Sequence, residues 1–289
     1  MSKDPRHITG DPAMIEALRK KPEQHKYDHG HALILSGGAG RGGAARLAAR
    51  GALRIGAGLV TLGCPPAALQ ENAAQLTAIM LRRVEDARAL KGVLEDTRLN
   101  ALCLGPALGL GKDTRALVET ALAAGRATVL DADALSSFAE APEALFEMLH
   151  SETVLTPHAG EFARLFPDIA EAPAEGPALS REGATRAAAA RAGCIVLLKG
   201  AHTVIADPGG RCAVNSALYD RAAPWLATAG AGDVLAGFIT GLLARGFAPM
   251  QAAETAAWLH VECALRFGPG LVAEDLPDML PQVFRALEV

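Results

Sequence analysis

Short apolar runs alternate with helical stretches along this chain, and each run ends in a turn built from glycine, proline or polar residues. Runs at residues 31–35, 59–62, 101–104, 128–130, 153–155 and 195–198 read as strands, each leading into a helical segment. That order is the pattern of repeated βαβ units and predicts an α/β fold with a mostly parallel sheet. Residues 203–206 and 211–215, joined by Asp207-Pro208-Gly209-Gly210, read instead as a hairpin. At 289 residues and 50% hydrophobic content the chain can fill one large domain or two small ones. The only linker-like stretch, 167–177, is short. One domain over residues 25–289 is therefore expected, after an N-terminal extension over 1–24.

A net charge of −4 and 4% aromatic residues offer neither a basic face nor stacking platforms for nucleic acid. The opening Met1-Ser2-Lys3-Asp4-Pro5-Arg6-His7 lacks an apolar signal core. No run of about 18 uncharged apolar residues suggests a membrane span. Cys64, Cys103, Cys194, Cys212 and Cys263 are odd in number and scattered, as reduced thiols of a cytoplasmic protein would be. None lies in a CxxC pair and the eight histidines form no ligand-spaced cluster, which argues against a structural zinc.

In an open parallel sheet ligands sit outside the carboxyl ends of the strands. Gly105-Pro106-Ala107-Leu108-Gly109 follows one strand here and Asp131-Ala132-Asp133 the next. Thr156-Pro157-His158 follows the third, and Lys199-Gly200-Ala201-His202-Thr203 the fourth. Each has an ordinary explanation: Asp133 as a helix cap, His158 as a cap or packing residue, Lys199 as a solvated charge. Together with Asp233 they form a ring of polar groups on one rim.

Thr228-Ala229-Gly230-Ala231-Gly232-Asp233 brings that carboxylate onto the start of an apolar helix, where Val234, Leu235, Phe238, Ile239, Leu242 and Leu243 share a stripe. Arg245-Gly246 should stop the helix. Its free N-terminal amides suit phosphate. A carboxylate beside phosphate makes sense if it handles a metal or a proton; the plainer alternative is an N-cap aspartate. Gly38-Ala39-Gly40-Arg41-Gly42-Gly43, before a helix expected near 44–55, fits a dinucleotide fingerprint. The second strand, however, runs into Gly63-Cys64-Pro65-Pro66 with no carboxylate before Glu71, so the ribose partner is missing. No Gly-Lys-Ser/Thr follows either, so the loop is no P-loop.

Several blocks resemble the ADP/ATP-dependent NAD(P)H-hydrate dehydratases of the ribokinase-like superfamily. They are His25-Lys26, Gly37-Gly38 with Gly43-Ala44, Gly56-Ala57-Gly58-Leu59-Val60-Thr61, and Leu130-Asp131-Ala132-Asp133-Ala134-Leu135. Leu155-Thr156-Pro157-His158 through Glu161-Phe162, Lys199-Gly200, and the segment from Gly230 to Gly237 complete the set, in family order over roughly residues 25–266. Three positions depart from the pattern: Ala107 and Ala229 where glycine is usual or frequent, and Ala159 where proline is usual.

The resemblance implies a three-layer α/β/α sandwich of the ribokinase type. It implies an ADP- or ATP-dependent lyase that repairs hydrated NADH and NADPH, with ADP the expected donor. Phosphorylating the ring hydroxyl makes phosphate the leaving group, and elimination restores the dinucleotide. Asp233 would be the base; Lys199, Gly200, Ala201, His202, Thr203 and Gly232 would hold the nucleotide. Ala44, Gly105, Gly109 and His158, with Asp233, would hold the hydrate, and phosphoryl transfer implies Mg²⁺. A homo-oligomer, a tetramer being one form, is expected. About two dozen residues precede His25-Lys26, fewer than the ~50 of a small domain. The expectation is thus a stand-alone dehydratase acting on the S epimer, with a separate epimerase as functional partner. A small-molecule kinase of the same superfamily and a nonenzymatic nucleotide-binding regulator are the rival readings.

Overall fold

The computed structural model describes residues 4–171 and 179–289, so part of the linker-like 167–177 stretch lies outside the described residues. Ten strands form one sheet: β1 Arg6–His7, β2 His31–Leu35, β3 Leu59–Cys64, β4 Met80–Arg83, β5 Leu99–Leu104, β6 Ala127–Leu130, β7 Thr153–Leu155, β8 Ile195–Leu198, β9 His202–Ala206 and β10 Cys212–Ser216. Their order is β1-β10-β9-β8-β7-β6-β5-β2-β3-β4. Pairing is parallel from β8 through β7, β6, β5, β2 and β3 to β4. The β8–β9 and β9–β10 pairs are antiparallel, so the expected hairpin is present and folds back onto the parallel block. Its turn closes when Asp207 N–H donates to the Arg211 carbonyl at 3.0 Å.

All six expected strands are there, three of them reaching a residue or two further. The apolar pattern explains why both faces are covered. In β2, Ala32 and Ile34 enter one core while Leu33 and Leu35 enter the other; in β5, Ala101 and Cys103 oppose Leu102 and Leu104. Helices Gly43–Arg54, Ala231–Ala244, Pro249–Phe267 and Asp275–Ala286 supply the first core. Helices Ala87–Val93, Lys112–Ala123 and Arg181–Ala192 supply the second. The result is the three-layer α/β/α arrangement. The stretch expected as an extension contributes β1, which pairs with β10, and the Pro12–Leu18 helix, whose Met14 and Leu18 are buried.

The Ala231–Ala244 helix lies unusually deep because its neighbour lets it. A Cβ on Gly237 would fall 2.1 Å from the Ala48 carbonyl oxygen, so the Gly43–Arg54 helix approaches almost to backbone contact. That approach sets two helix N-termini side by side above the carboxyl ends of the parallel strands. Arg245 and Gly246, at φ +86°, end the helix where the sequence placed its stop.

Candidate active site

Gly230 precedes the first turn of the Ala231–Ala244 helix at φ +89°, where a Cβ would lie 2.6 Å from Leu47 Cδ1. Gly230, not Asp233, is therefore the N-cap, and Asp233 is the third helical residue, with no capping bond from its side chain. This excludes the N-cap explanation of Asp233. The first-turn amides of Gly232 and Asp233 have no intrahelical acceptor and carry the positive end of the helix dipole.

Lys199, just past β8, reaches over this helix start. Its Nζ lies 2.6 Å from Asp131 Oδ1, and a Cβ on Gly232 would lie 3.5 Å from the same nitrogen. Lys199 is thus no solvated charge: Asp131, 1% exposed, is its buried partner. Burial alone would lower the Lys199 pKa, but the charge and hydrogen bond of Asp131 outweigh it and hold the ammonium above its ordinary value. Asp233 responds in the opposite sense. Burial, then the nearby Asp131 charge, pushes its carboxyl up to about 6 against the pull of Lys199. A carboxylate raised toward neutrality beside free first-turn amides can act as a proton acceptor.

The other rim loops lock to one another through close backbone approaches. A Cβ on Gly37 would meet the Ala107 carbonyl oxygen at 1.9 Å, and one on Gly105 the Asp131 carbonyl oxygen at 1.7 Å. Gly109 N–H donates to Asp133 Oδ2 at 2.8 Å, so Asp133 spends its carboxylate on the neighbouring loop rather than on capping its own helix. Glu71 accepts from Gly40 N–H at 2.7 Å, closing the glycine-rich loop. Leu108 N–H donates to the Gly105 carbonyl at 3.1 Å across Pro106-Ala107, and Ala107 sits at φ +56°. The third position of such a type II turn favours glycine, which is the physical content of this departure from the family pattern. Replacing it, Ala107→Gly, should stabilise the protein by about 0.5–1 kcal/mol, the left-handed strain relieved less the added unfolded-state entropy. A urea midpoint unchanged or lower in the variant would contradict this.

His158 caps the Ala159–Leu165 helix: its Nδ1 accepts from the Gly160 and Glu161 amides at 2.9 and 3.2 Å, while Glu161 Oε2 accepts from His158 N–H at 2.8 Å. The capping explanation thus holds for this residue, and its half-exposed ring stays available at the rim. Ala44 lies in the first turn of the Gly43–Arg54 helix. On the other side of Lys199 a cavity of about 440 Å³ is lined by Lys199, Gly200, Ala201, Thr203 and Gly232, with an apolar wall including Leu218, Leu226 and Leu235. The structure therefore brings five of the six expected nucleotide residues to one cavity. The sixth, His202, is not among its lining residues; its Nδ1 is buried without a partner and its ring stands 6.2 Å from that of Tyr219. Ala44, Gly105, Gly109, His158 and Asp233 are likewise absent from that cavity's lining. A separate 380 Å³ cavity near Tyr27, His31 and Arg82 contains the paired Arg98 and Asp96 and none of the rim residues.

Asp131 was named on the rim from sequence but given no role, although two opposite charges at one rim of a sheet invite pairing; Arg181 and His260 had no local signal. His260 lines the 440 Å³ cavity, and burial drives its pKa down to about 4, so the neutral ring donates from Nε2 to the Ala231 carbonyl at 2.9 Å. That bond ties the first turn of the Asp233 helix to the Pro249–Phe267 helix.

Known proteins place this arrangement. The sequence matches the family model described as NAD(P)H-hydrate dehydratase over residues 32–282. A bifunctional NAD(P)H-hydrate repair enzyme Nnr of Gloeobacter violaceus is 40% identical over 250 residues, covering 84% of this chain and 46% of that protein. The corresponding Synechocystis enzyme is also 40% identical, over 83% of this chain and 45% of its own. The chain thus spans about half the length of the curated relatives it matches. Among solved structures, the ADP/ATP-dependent NAD(P)H-hydrate dehydratase of Bacillus subtilis, co-crystallised with ATP/Mg²⁺, matches with TM-score 0.77 and 26% identity, covering 99% of this chain and all of that one. A hydroxyethylthiazole kinase from Pyrococcus horikoshii, 15% identical with TM-score 0.60 over 94% of both chains, shares the ribokinase-like fold. Family model, relatives and fold agree: the chain belongs to the NAD(P)H-hydrate dehydratase family.

Proposed function

We propose that this chain dehydrates the S epimer of hydrated NADH and NADPH at the expense of ADP or ATP. The observation that carries the reading is the carboxyl of Asp233, raised to about 6, set on a helix start beside the Lys199 ammonium. Asp233 takes the proton of the ring hydroxyl as its oxygen attacks the terminal phosphorus. The bond from phosphorus to the bridging oxygen of the nucleotide breaks, and the amides of Gly232 and Asp233 stabilise charge on the transferring group. The carbon–oxygen bond to phosphate then breaks and a proton leaves the adjacent ring carbon, which restores the ring double bond of the dinucleotide. The 440 Å³ cavity, with its apolar wall and Lys199 at one end, suits a nucleotide base and its phosphates. Gly105, Gly109, Ala44 and His158 form the hydrate side, outside that cavity.

Among the described residues no group of three His, Cys, Asp or Glu side chains is arranged to hold a metal. Mg²⁺ needs no such cluster, since it is held by one or two carboxylates together with substrate phosphates and water. Asp131, which gives only Oδ1 to Lys199, is the side chain that would hold it. When bound, the ion screens charge on the phosphates. Residues 25–289 acting as one domain and assembly into a homo-oligomer belong to the same reading. So does a cytoplasmic location, supported by five free, buried cysteines. Among the described residues no helix is long and apolar enough to cross a membrane.

The test is turnover of hydrated NADH with ADP and with ATP in turn, following free phosphate and the absorbance of the restored reduced nicotinamide. A phosphorylated product without phosphate release would establish the kinase reading instead. With an epimer mixture and excess nucleotide, part should react fast and the rest slowly, because in-line transfer from Asp233's side reaches a hydroxyl on one ring face. Adding an epimerase should make the whole course fast. One fast phase consuming both epimers unaided would contradict the stereochemical assignment.

A further inference from the structure

Arg181 begins the Arg181–Ala192 helix, and two of its three guanidinium nitrogens donate to the loop that carries Lys199. Nε donates to the His202 carbonyl at 3.0 Å, and one Nη donates to the carbonyls of Leu198 and Lys199 at 3.1 and 2.6 Å. Gly200 must lack a side chain for this, since a Cβ there would stand 2.7 Å from the same Nη.

The consequence follows from peptide geometry. No peptide bond among the described residues is cis, and in a trans peptide the N–H points opposite to the C=O. With the Leu198 carbonyl held by Arg181, the Lys199 N–H faces away and donates to the Pro157 carbonyl at 2.9 Å. With the Lys199 carbonyl held the same way, the Gly200 N–H also faces away from Arg181. It meets no acceptor among the described residues, and Gly200 lines the 440 Å³ cavity. Gly200 is exposed, so water serves this N–H until a ligand oxygen takes its place.

We propose that Arg181 is a positioning residue for nucleotide binding: by gripping three carbonyls it aims the Gly200 amide at an oxygen of the bound nucleotide. The inference rests on reading this cleft as the nucleotide site. An arginine is needed because its planar fork serves several acceptors at once, whereas lysine offers a single point charge.

Titrating wild type, Arg181→Lys and Arg181→Met with ADP, ATP and, separately, hydrated NADH tests this. Nucleotide affinity should fall about tenfold to hundredfold in Arg181→Met, the loss expected for a charge-assisted hydrogen bond, and by less in Arg181→Lys. Hydrate affinity should hold. A purely structural role would lower the thermal midpoint and leave the nucleotide KM of the folded fraction unchanged, which overturns the proposal; so does an equal loss for both ligands. Should the variants fail to fold, the wild type labelled with [15N]glycine still decides. The Gly200 amide proton should move downfield when ADP or ATP is added, and an unmoved resonance at saturation overturns the inference. A wild type that binds neither nucleotide fails the functional reading itself, a separate result from one that binds both regardless of Arg181.

Discussion

Asp233→Asn should leave the protein folded and nucleotide affinity nearly intact while turnover falls by about 10²–10⁴-fold, the usual cost of removing a general base. The amide keeps the shape of the carboxyl but cannot take the hydroxyl proton. A variant retaining more than about a tenth of wild-type turnover would remove Asp233 from the mechanism. The same substitution has a second signature in stability. The Asp233 carboxyl is raised from 3.8 to about 6 by burial and then by Asp131. Its folded-state value exceeds its unfolded one, so its favourable contribution is complete below pH 4 and is lost as pH rises through 6. Above that, wild type carries a buried charge that the asparagine variant does not. Asp233→Asn should therefore be more stable than wild type at pH 8, by at most about 3 kcal/mol, and the gap should close near pH 4. Wild-type kcat should itself fall on the acid side of about pH 6, since the base must be ionised to act. An inactive variant with no gain in stability at pH 8 would point to structural damage instead.

Lys199→Ala carries the other large effect, and it acts on two quantities at once. The Lys199–Asp131 pair is buried, with side chains 19% and 2% exposed. Removing one member strands a carboxylate, at a typical cost of about 3–5 kcal/mol. The lost ammonium also faces the helix start at Gly232, so nucleotide affinity should fall by about tenfold or more while hydrate affinity changes little. The double variant Lys199→Met with Asp131→Asn separates the two consequences. Discharging both members should restore most of the stability but none of the nucleotide affinity. Thermal unfolding with separate calorimetric titrations of ADP and hydrate would show this. Equal losses for both ligands, or recovery of nucleotide binding in the double variant, would contradict the assignment.

The rim residues differ in how far their neighbours in sequence revealed them. Asp233 stood out because Gly230 and Gly232 precede it and an apolar stripe follows. Lys199 and Asp131 lie 68 positions apart and meet at 2.6 Å only because β6 and β8 flank β7 in one parallel sheet. His158 read more readily as a cap or packing residue than as a ligand, and the Gly160 and Glu161 amides show that it caps. His202 sits among nucleotide-loop residues, but strand alternation turns its side chain away from the cavity that Thr203 lines.

By itself the sequence determined what depends on short-range pattern. Uninterrupted apolar runs at 32–35 and 101–104 pointed to strands buried on both faces, and the turn residues after each strand put polar groups on one rim. Arg245-Gly246 ended the long apolar helix at the expected place. Tertiary structure alone decided the electrostatics, because burial and the distance between charges belong to no single segment. The Asp233 carboxyl is raised to about 6 because burial and the Asp131 charge outweigh the pull of Lys199. Arg181 aims an amide it does not adjoin because three carbonyls from one loop happen to converge on its guanidinium.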